Sequence, residues 1–305
     1  TAKFGIFESP NEATTFLKKT KFPLVVKADG FASGKGVYIC EDMNAANIAI
    51  KEIFNGKFGV AINVLIEEFL NGEEMSYFII SDGKQIQSFD TAQDHKRVLE
   101  GDKGPNTGGM GAYSPSRLIN QVLEKKILNK IIKPTIKALQ EMGSNYKGFL
   151  YAGLMIVKDE PYLIEYNVRM GDPECQTILP KLKTNLLDIM EACCNKKLEN
   201  LKIEWHDKKS LCVVLCSKGY PDKHQNDILI ENTEKLELDD NDFIYHSGTK
   251  KIGDKVYSNG GRVISFVSLS SNFKESRDKI FSLIKNLNWT NGFFRKDIGH
   301  KVIDE

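Results

Sequence analysis

The sequence has no apolar run long enough to cross a bilayer, and TAKFGIFESP at its start shows neither a charged n-region nor an apolar h-region. A soluble, cytoplasmic protein is expected. Charge of one sign is also lacking. Lys and Arg total 42 against 41 Asp and Glu, a net charge of +1, so no overall field draws the chain to nucleic acid or to an anionic membrane. Any anion has to be caught locally. Six cysteines at irregular spacing (Cys40, Cys175, Cys193, Cys194, Cys212, Cys216) make no disulfide framework. Cys212 and Cys216 lie in LCVVLC, which alternates as a strand does, with no second Cys or His pair at zinc-finger spacing, so they read as buried thiols. Repeats and low-complexity tracts are absent as well.

What is present is a 305-residue chain, 41% hydrophobic, large enough to bury a substantial core in two or three domains. Its pattern is an α+β mixture. A helix is expected over 11–20, strands at PLVVKA and VYIC around a glycine-rich loop, a helix over 43–54 and a buried strand over 64–70. Residues 76–89 read as a hairpin turning at Asp82-Gly83, and 149–168 as a strand pair around Lys158-Asp159. The longest amphipathic helix, 117–142, should be kinked or split by Pro134, and 184–198 is helical. From about Leu201 the composition shifts to short strands and one helix (272–287). This predicts a larger region over 1–200, with a flexible lobe at about 22–72, and a smaller, mainly β domain over 201–305.

The first chemical signal is KADGFASGKGVYIC, residues 27–40. A Walker A loop needs four residues between its first Gly and the Gly-Lys pair, then Ser or Thr. Here three residues separate Gly30 from Gly34, and Gly36 follows Lys35, so that reading fails. A dinucleotide fingerprint fails too, because the loop leads into a strand rather than a helix. A hairpin flap remains, with Lys27 on the incoming strand and Lys35 at the tip, both able to meet phosphate oxygens, or else a solvated hairpin.

In LIEYNVRMGDPE (163–174), alternation puts Glu165, Asn167 and Arg169 on one face. A carboxylate beside an amide oxygen suits Mg²⁺, and an adjacent guanidinium offers a fork to a phosphoryl group. The same residues could form the polar outer face of a half-solvated strand. IEEFLNGEE (66–74) is a buried strand ending in an acidic turn, which could offer backbone groups to an adenine edge and an acid to ribose hydroxyls.

The flap lysines, the strand IEEFLNGEEMS and the Glu-x-Asn-x-Arg strand come in the order and spacing of the ATP-grasp superfamily. Within it the chain resembles the phosphoribosylamine–glycine ligase family of purine biosynthesis. TAQDHKRV (91–98), GPNTGGMGAYSP (104–115), GFLYAGLMI (148–156), SNGGRV (258–263) and FRKDIG (294–299) extend the match over essentially all of the chain.

The resemblance implies an ATP-grasp fold followed by a small C-terminal β-rich domain. It also implies an ATP-dependent ligase that joins glycine to 5-phosphoribosylamine, with Mg²⁺ or Mn²⁺ as the metal. By position, Lys27 and Lys35 would meet ATP phosphates. Glu67, Glu68, Phe69 and Leu70 would frame adenine, through the backbone of Glu68 and Leu70, and Glu74 would hold ribose. Glu165 and Asn167 would ligate the metal, with Arg169 and Lys35 in catalytic roles. Gln93, Asp94, Lys96, Arg97 and the loop Pro105, Asn106, Thr107, Gly108, Gly109, Met110 would line the acceptor side, with Arg295 and Lys296 on the sugar phosphate. His95 is expected to be structural or substrate-orienting, since a carboxylate attacking phosphorus needs no base. A monomer is expected.

Two departures from the pattern stand out. Gly153 occupies the place, about twelve positions before the Glu-x-Asn pair, where many ATP-grasp enzymes carry another acidic ligand. The family also normally begins with a further domain that helps to bind the phosphoribosyl substrate, so the sequence reads as a fragment of reduced activity. A carboxylase-type ATP-grasp ligase, or a nucleotide-binding module without turnover, is the alternative.

Overall fold

The computed structural model describes residues 1–30 and 36–303. It divides into two compact units, Thr1–Glu73 with Tyr162–Ile164, and Glu74–Pro161 with Glu165–Glu305. The sequence places a flexible lobe at about 22–72, whereas the first unit begins at Thr1.

The first unit contains β1 (Phe4–Phe7), α1 (Pro10–Leu17), β2 (Leu24–Asp29), β3 (Val37–Cys40), α2 (Met43–Phe54) and β4 (Asn63–Glu68). Both helices begin at side-chain caps: Ser9 Oγ accepts from Glu12 N–H and Asp42 Oδ1 from Ala45 N–H. The strands form an antiparallel sheet in the order β1-β4-β2-β3. Their alternation is strict. Leu24, Val26, Val64 and Ile66 pack under Ala13, Leu17, Ala46, Ile50 and Ile53 of the two helices. The intervening residues, Val25, Lys27, Leu65 and Glu67, take the opposite face, beside Phe4, Ile6, Val37 and Ile39, which are 41–58% exposed. One side of the sheet is therefore core and the other a partly open apolar surface.

The second unit contains β5 (Glu73–Asp82, from Glu74), β6 (Ile86–Asp94), β7 (Arg97–Leu99), β8 (Lys103–Asn106), β9 (Gly111–Ser114), α3 (Gln121–Ile127), α4 (Lys133–Glu141), β10 (Lys147–Val157) and β11 (Glu160–Asn167) apart from its Tyr162–Ile164. It continues through α5 (Glu174–Ile178), α6 (Leu186–Cys194), β12 (Lys209–Ser217), β13 (Leu229–Ile230), β14 (Asp242–His246), β15 (Thr249–Ile252), β16 (Lys255–Ser258), β17 (Arg262–Ser270), α7 (Phe273–Asn286) and β18 (Gly292–Phe293). Pro134 does split the long helix: a π turn over Leu128–Ile132 separates α3 from α4 and absorbs the missing N–H.

The main sheet runs β11-β10-β5-β6-β9-β12-β17-β14, with β18 on β12. β9 pairs with β12 from Gly111↔Val213 to Ser114↔Ser210, so this sheet passes straight through residue 200. Strand pairing is thus continuous across the boundary expected from composition. The strands β1 and β9 carry little sequence signal, because FGIF is short and GAYS lies in a glycine-rich run. Among the described residues no helix is long and apolar enough to cross a membrane.

Candidate active site

Lys27 stands on the open face of the four-stranded sheet. Its Nζ is 2.6 Å from Glu67 Oε2, and the two side chains are 18% and 12% exposed. They face each other because β2 and β4 pair Val25 with Glu67 and Lys27 with Leu65, which sets the lysine one diagonal step from the acid. A cation held among exposed apolar side chains offers a flat ring an apolar surface and a phosphate a counter-charge. Glu68 points elsewhere: its carboxylate accepts from Lys3 N–H and its own N–H donates to Lys3 O, both at 2.9 Å. Phe69 and Leu70 follow the strand end, half-buried. Lys35 lies outside the described residues.

In the second unit Glu165 and Asn167 share one face of β11, with Asn167 Nδ2 donating to Glu165 Oε1 at 3.2 Å. Turning the amide over brings two oxygens side by side, a hard donor pair that fits a divalent cation completed by water and phosphate. Gly153 has its own reason in the packing. A Cβ there would stand 3.2 Å from Glu165 Cγ, so the missing side chain leaves room for the carboxylate. Arg169 lies beyond the end of β11, and strand alternation does not place it. Its guanidinium is exposed, and Nη1 donates to Met170 O at 2.9 Å.

The run Gln93 to Arg97 is divided by alternation. Gln93 and His95 are 3% exposed, while Asp94 and Lys96 are half-buried on the other face. Expected at the acceptor side, Gln93 is instead consumed internally. Its Nε2 donates to Glu74 O, and its Oε1 accepts from Tyr113 OH and Ser116 Oγ. Lys96 Nζ meets Glu74 Oε2 at 2.5 Å, which joins an expected acceptor residue to the expected ribose residue. Burial opposes the Lys96 charge, yet Asp94 and Glu74 together hold its pKa well above the usual lysine value. Asp94 goes the other way. Burial, with Glu174 and Glu74 nearby and only partly offset by Lys96, pushes it up to about 7. Arg97 Nη1 donates to Gly104 O at 2.7 Å.

The glycine-rich loop is packed against protein. Gly109 has φ +113°, and a Cβ there would come 2.4 Å from Pro173 Cδ. Gly108 N–H donates to Tyr220 OH, and Gly108 O accepts from Arg262 Nη1. Thr107 Oγ1 donates to Lys96 O. Met110, also expected at the acceptor side, is fully buried, with its N–H on His95 O and its carbonyl accepting from Val214 N–H. Pro105 and Asn106 are exposed on β8.

Arg295 is a further correction. Its side chain is 1% exposed, and the guanidinium is taken up by Asp297, Asp102 and Arg97 O, leaving nothing to offer a sugar phosphate. Lys296 is exposed. Arg262, within the matching segment SNGGRV but given no role by the sequence, binds Asp172 Oδ2 at 2.5 Å and the carbonyls of Asp172 and Gly108. It ties the glycine loop to the GDPE turn from 154 and 90 residues away, separations no local pattern reveals.

The model of the phosphoribosylglycinamide synthetase ATP-grasp (A) domain matches residues 1–175, and that of the C domain of the same synthetase matches residues 210–301. The chain is 39% identical over its whole length to phosphoribosylamine–glycine ligase of Brucella melitensis, spanning 71% of that protein. It belongs to the phosphoribosylamine–glycine ligase family. The ligase of Caldanaerobacter subterraneus is 42% identical over 98% of the chain and 71% of its own length. The crystal structure of the Thermotoga maritima ligase superposes with a TM-score of 0.88 at 32% identity, covering 98% of this chain and 74% of that one. The architecture is therefore the α+β ATP-grasp fold, with the C domain's strands continuing the main sheet.

Proposed function

We propose that the chain joins glycine to 5-phosphoribosylamine, converting ATP to ADP and phosphate and yielding glycinamide ribonucleotide. The glycine carboxylate attacks the γ-phosphorus and ADP leaves. The amine of phosphoribosylamine then attacks the acyl carbon of glycyl phosphate, phosphate departs with the bonding electrons, and the nitrogen loses a proton. Neither step needs a protein nucleophile, and the candidate residues are lysines, an arginine and acids rather than a Ser, Cys or His nucleophile.

In this reading the apolar face around Val25, Leu65 and Ile39 receives adenine, with the Glu68 and Leu70 backbone on its edge. Lys27 leaves Glu67 for a phosphate oxygen, Lys35 acts with it, and Glu74 holds ribose. Arg169 neutralises the phosphoryl group as it transfers. Glu165 and Asn167 hold Mg²⁺ or Mn²⁺, which supplies charge neutralisation on the phosphates. Asp94, Lys96 and the exposed Pro105 and Asn106 face the acceptor, with Arg97 and Lys296 at its margin, while Gln93, Met110 and Arg295 support that surface from within.

The observation that carries the reading is the Glu165–Asn167 donor pair set directly before an exposed arginine. The test is ADP release in the presence of phosphoribosylamine across a panel of amino acids and bicarbonate. Glycine alone should drive turnover. Turnover on bicarbonate, or ATP binding with no acceptor-dependent release, contradicts it.

A further inference from the structure

β6 ends at Asp94, and the backbone hydrogen bonds to the facing segment run on through Lys96. Gln93 lies opposite Tyr113 and Asp94 opposite Ala112, His95 N–H donates to Gly111 O, Met110 N–H to His95 O, and Thr107 N–H to Lys96 O. Burial and partners separate the side chains: His95 is 3% exposed and meets Gly299, while Asp94 and Lys96 are half-buried, with Lys96 on Glu74. Both ring nitrogens of His95 face protein groups on that inner side. Nε2 accepts from Gly299 N–H at 3.1 Å, and Nδ1 stands 3.6 Å from Asp102 Oδ1. Burial holds the imidazole below its usual pKa despite the pull of Asp102, and the accepting Nε2 leaves the proton on Nδ1.

Asp102 is fixed in turn. Arg295 Nη1 donates to its Oδ1 at 2.9 Å and to Arg97 O, while Arg295 Nε and Nη2 grip Asp297 at 2.8 and 2.7 Å. Asp297 Oδ2 accepts from Gly101 N–H, and Lys296 N–H donates to Glu100 Oε1. Segment 295–299 thus clamps the β7–β8 hairpin at three successive residues, Glu100, Gly101 and Asp102. His300 completes the surroundings, its ring 5.4 Å from that of His95.

We infer that His95 is a positioning residue. Anchored to Asp102 and to the Gly299 amide, it keeps the flanking Asp94 and Lys96 side chains turned to the acceptor face, with Arg295 holding the anchor. The ring is 3% exposed and faces protein groups, so its effect on the reaction passes through its neighbours. This inference rests on the assignment of Lys96 to the acceptor side, and the test separates the two.

The experiment is a double-mutant cycle of His95→Leu with Lys96→Met in the whole enzyme, read as kcat/KM for glycine and phosphoribosylamine, with Tm measured alongside. His95→Leu should lower kcat/KM by about tenfold or more, the scale of a misplaced binding group. In the Lys96→Met background the same change should cost less than about twofold, because the group it positions is gone. His95→Gln keeps an acceptor near Gly299 N–H and should recover part of the loss. Equal losses in both backgrounds, or no recovery with His95→Gln once Tm is restored by lower temperature, overturn the inference. Full activity in Lys96→Met alone overturns the assignment of Lys96 and this inference with it. If His95→Leu yields no folded protein, Asp102→Asn enters the same cycle, with the same expected non-additivity and the same overturning result.

Discussion

Two strand runs in this molecule use the same alternation to different ends. On β2 and β4 of the first unit, the inward residues Leu24, Val26, Val64 and Ile66 are apolar and fill a core, and the outward Lys27 and Glu67 stand on a partly open face. At the end of β6 in the second unit, the inward residues are Gln93 and His95. These are polar side chains whose hydrogen bonds all end inside the protein. In the first case the motif is mostly contact surface over a greasy support. In the second, half of the motif is the support. A run of polar residues in a site therefore divides by face, and only one face is available to a ligand.

This contrast predicts where substitutions hurt activity and where they hurt stability. The largest effect belongs to the exposed arginine. Arg169→Ala should reduce kcat by about 10²–10³-fold, the usual cost of losing a transition-state charge partner, with little change in Tm. A variant that loses stability but keeps kcat would place Arg169 with the supporting residues. Arg295→Met should do the reverse. It leaves Asp102 and Asp297 without their common cation and should lower stability by about 3 kcal/mol, measured by denaturant unfolding.

Next in size is Gln93→Leu. It removes the acceptor used by Tyr113 OH and Ser116 Oγ and the donor to Glu74 O, for a loss of about 1–3 kcal/mol. Retained stability together with a raised KM would return Gln93 to the acceptor side.

A further prediction concerns pH. Asp94 titrates near 7 in the folded protein, above its ordinary value of 3.8, so the folded state favours the protonated acid. Its contribution to stability is complete below pH ~4 and is lost as pH rises to about 7. Asp94→Asn, which cannot ionise, should thus gain Tm relative to the parent at pH 8, and the gain should shrink by pH 5. A gain that is the same at both pH values would contradict the burial and crowding assigned to this carboxylate.

Much of the fold is legible in the sequence because it rests on short-range periodicity. The strand pairs at Asp82-Gly83 and Lys158-Asp159, the helix over 43–54 and the break at Pro134 follow from turn residues, alternation and a missing N–H. Glu165 and Asn167 can be paired in advance for the same reason, since they are two residues apart on one strand. Arg295 and Met110 cannot be read correctly from the motifs that contain them. Their environments come from Asp102, Arg97, Val214 and Cys216, all brought in from distant parts of the chain. The main sheet likewise ignores the compositional change near residue 200, because pairing between β9 and β12 depends on register rather than on composition.

The account stands on glycine's own carboxylate being the group that takes the γ-phosphoryl. Turnover with glycine labelled with ¹⁸O in its carboxylate measures this directly, through the isotope content of the released inorganic phosphate. The expected result is one ¹⁸O carried from glycine into phosphate for each glycinamide ribonucleotide formed. Unlabelled phosphate accompanying full product formation would contradict it.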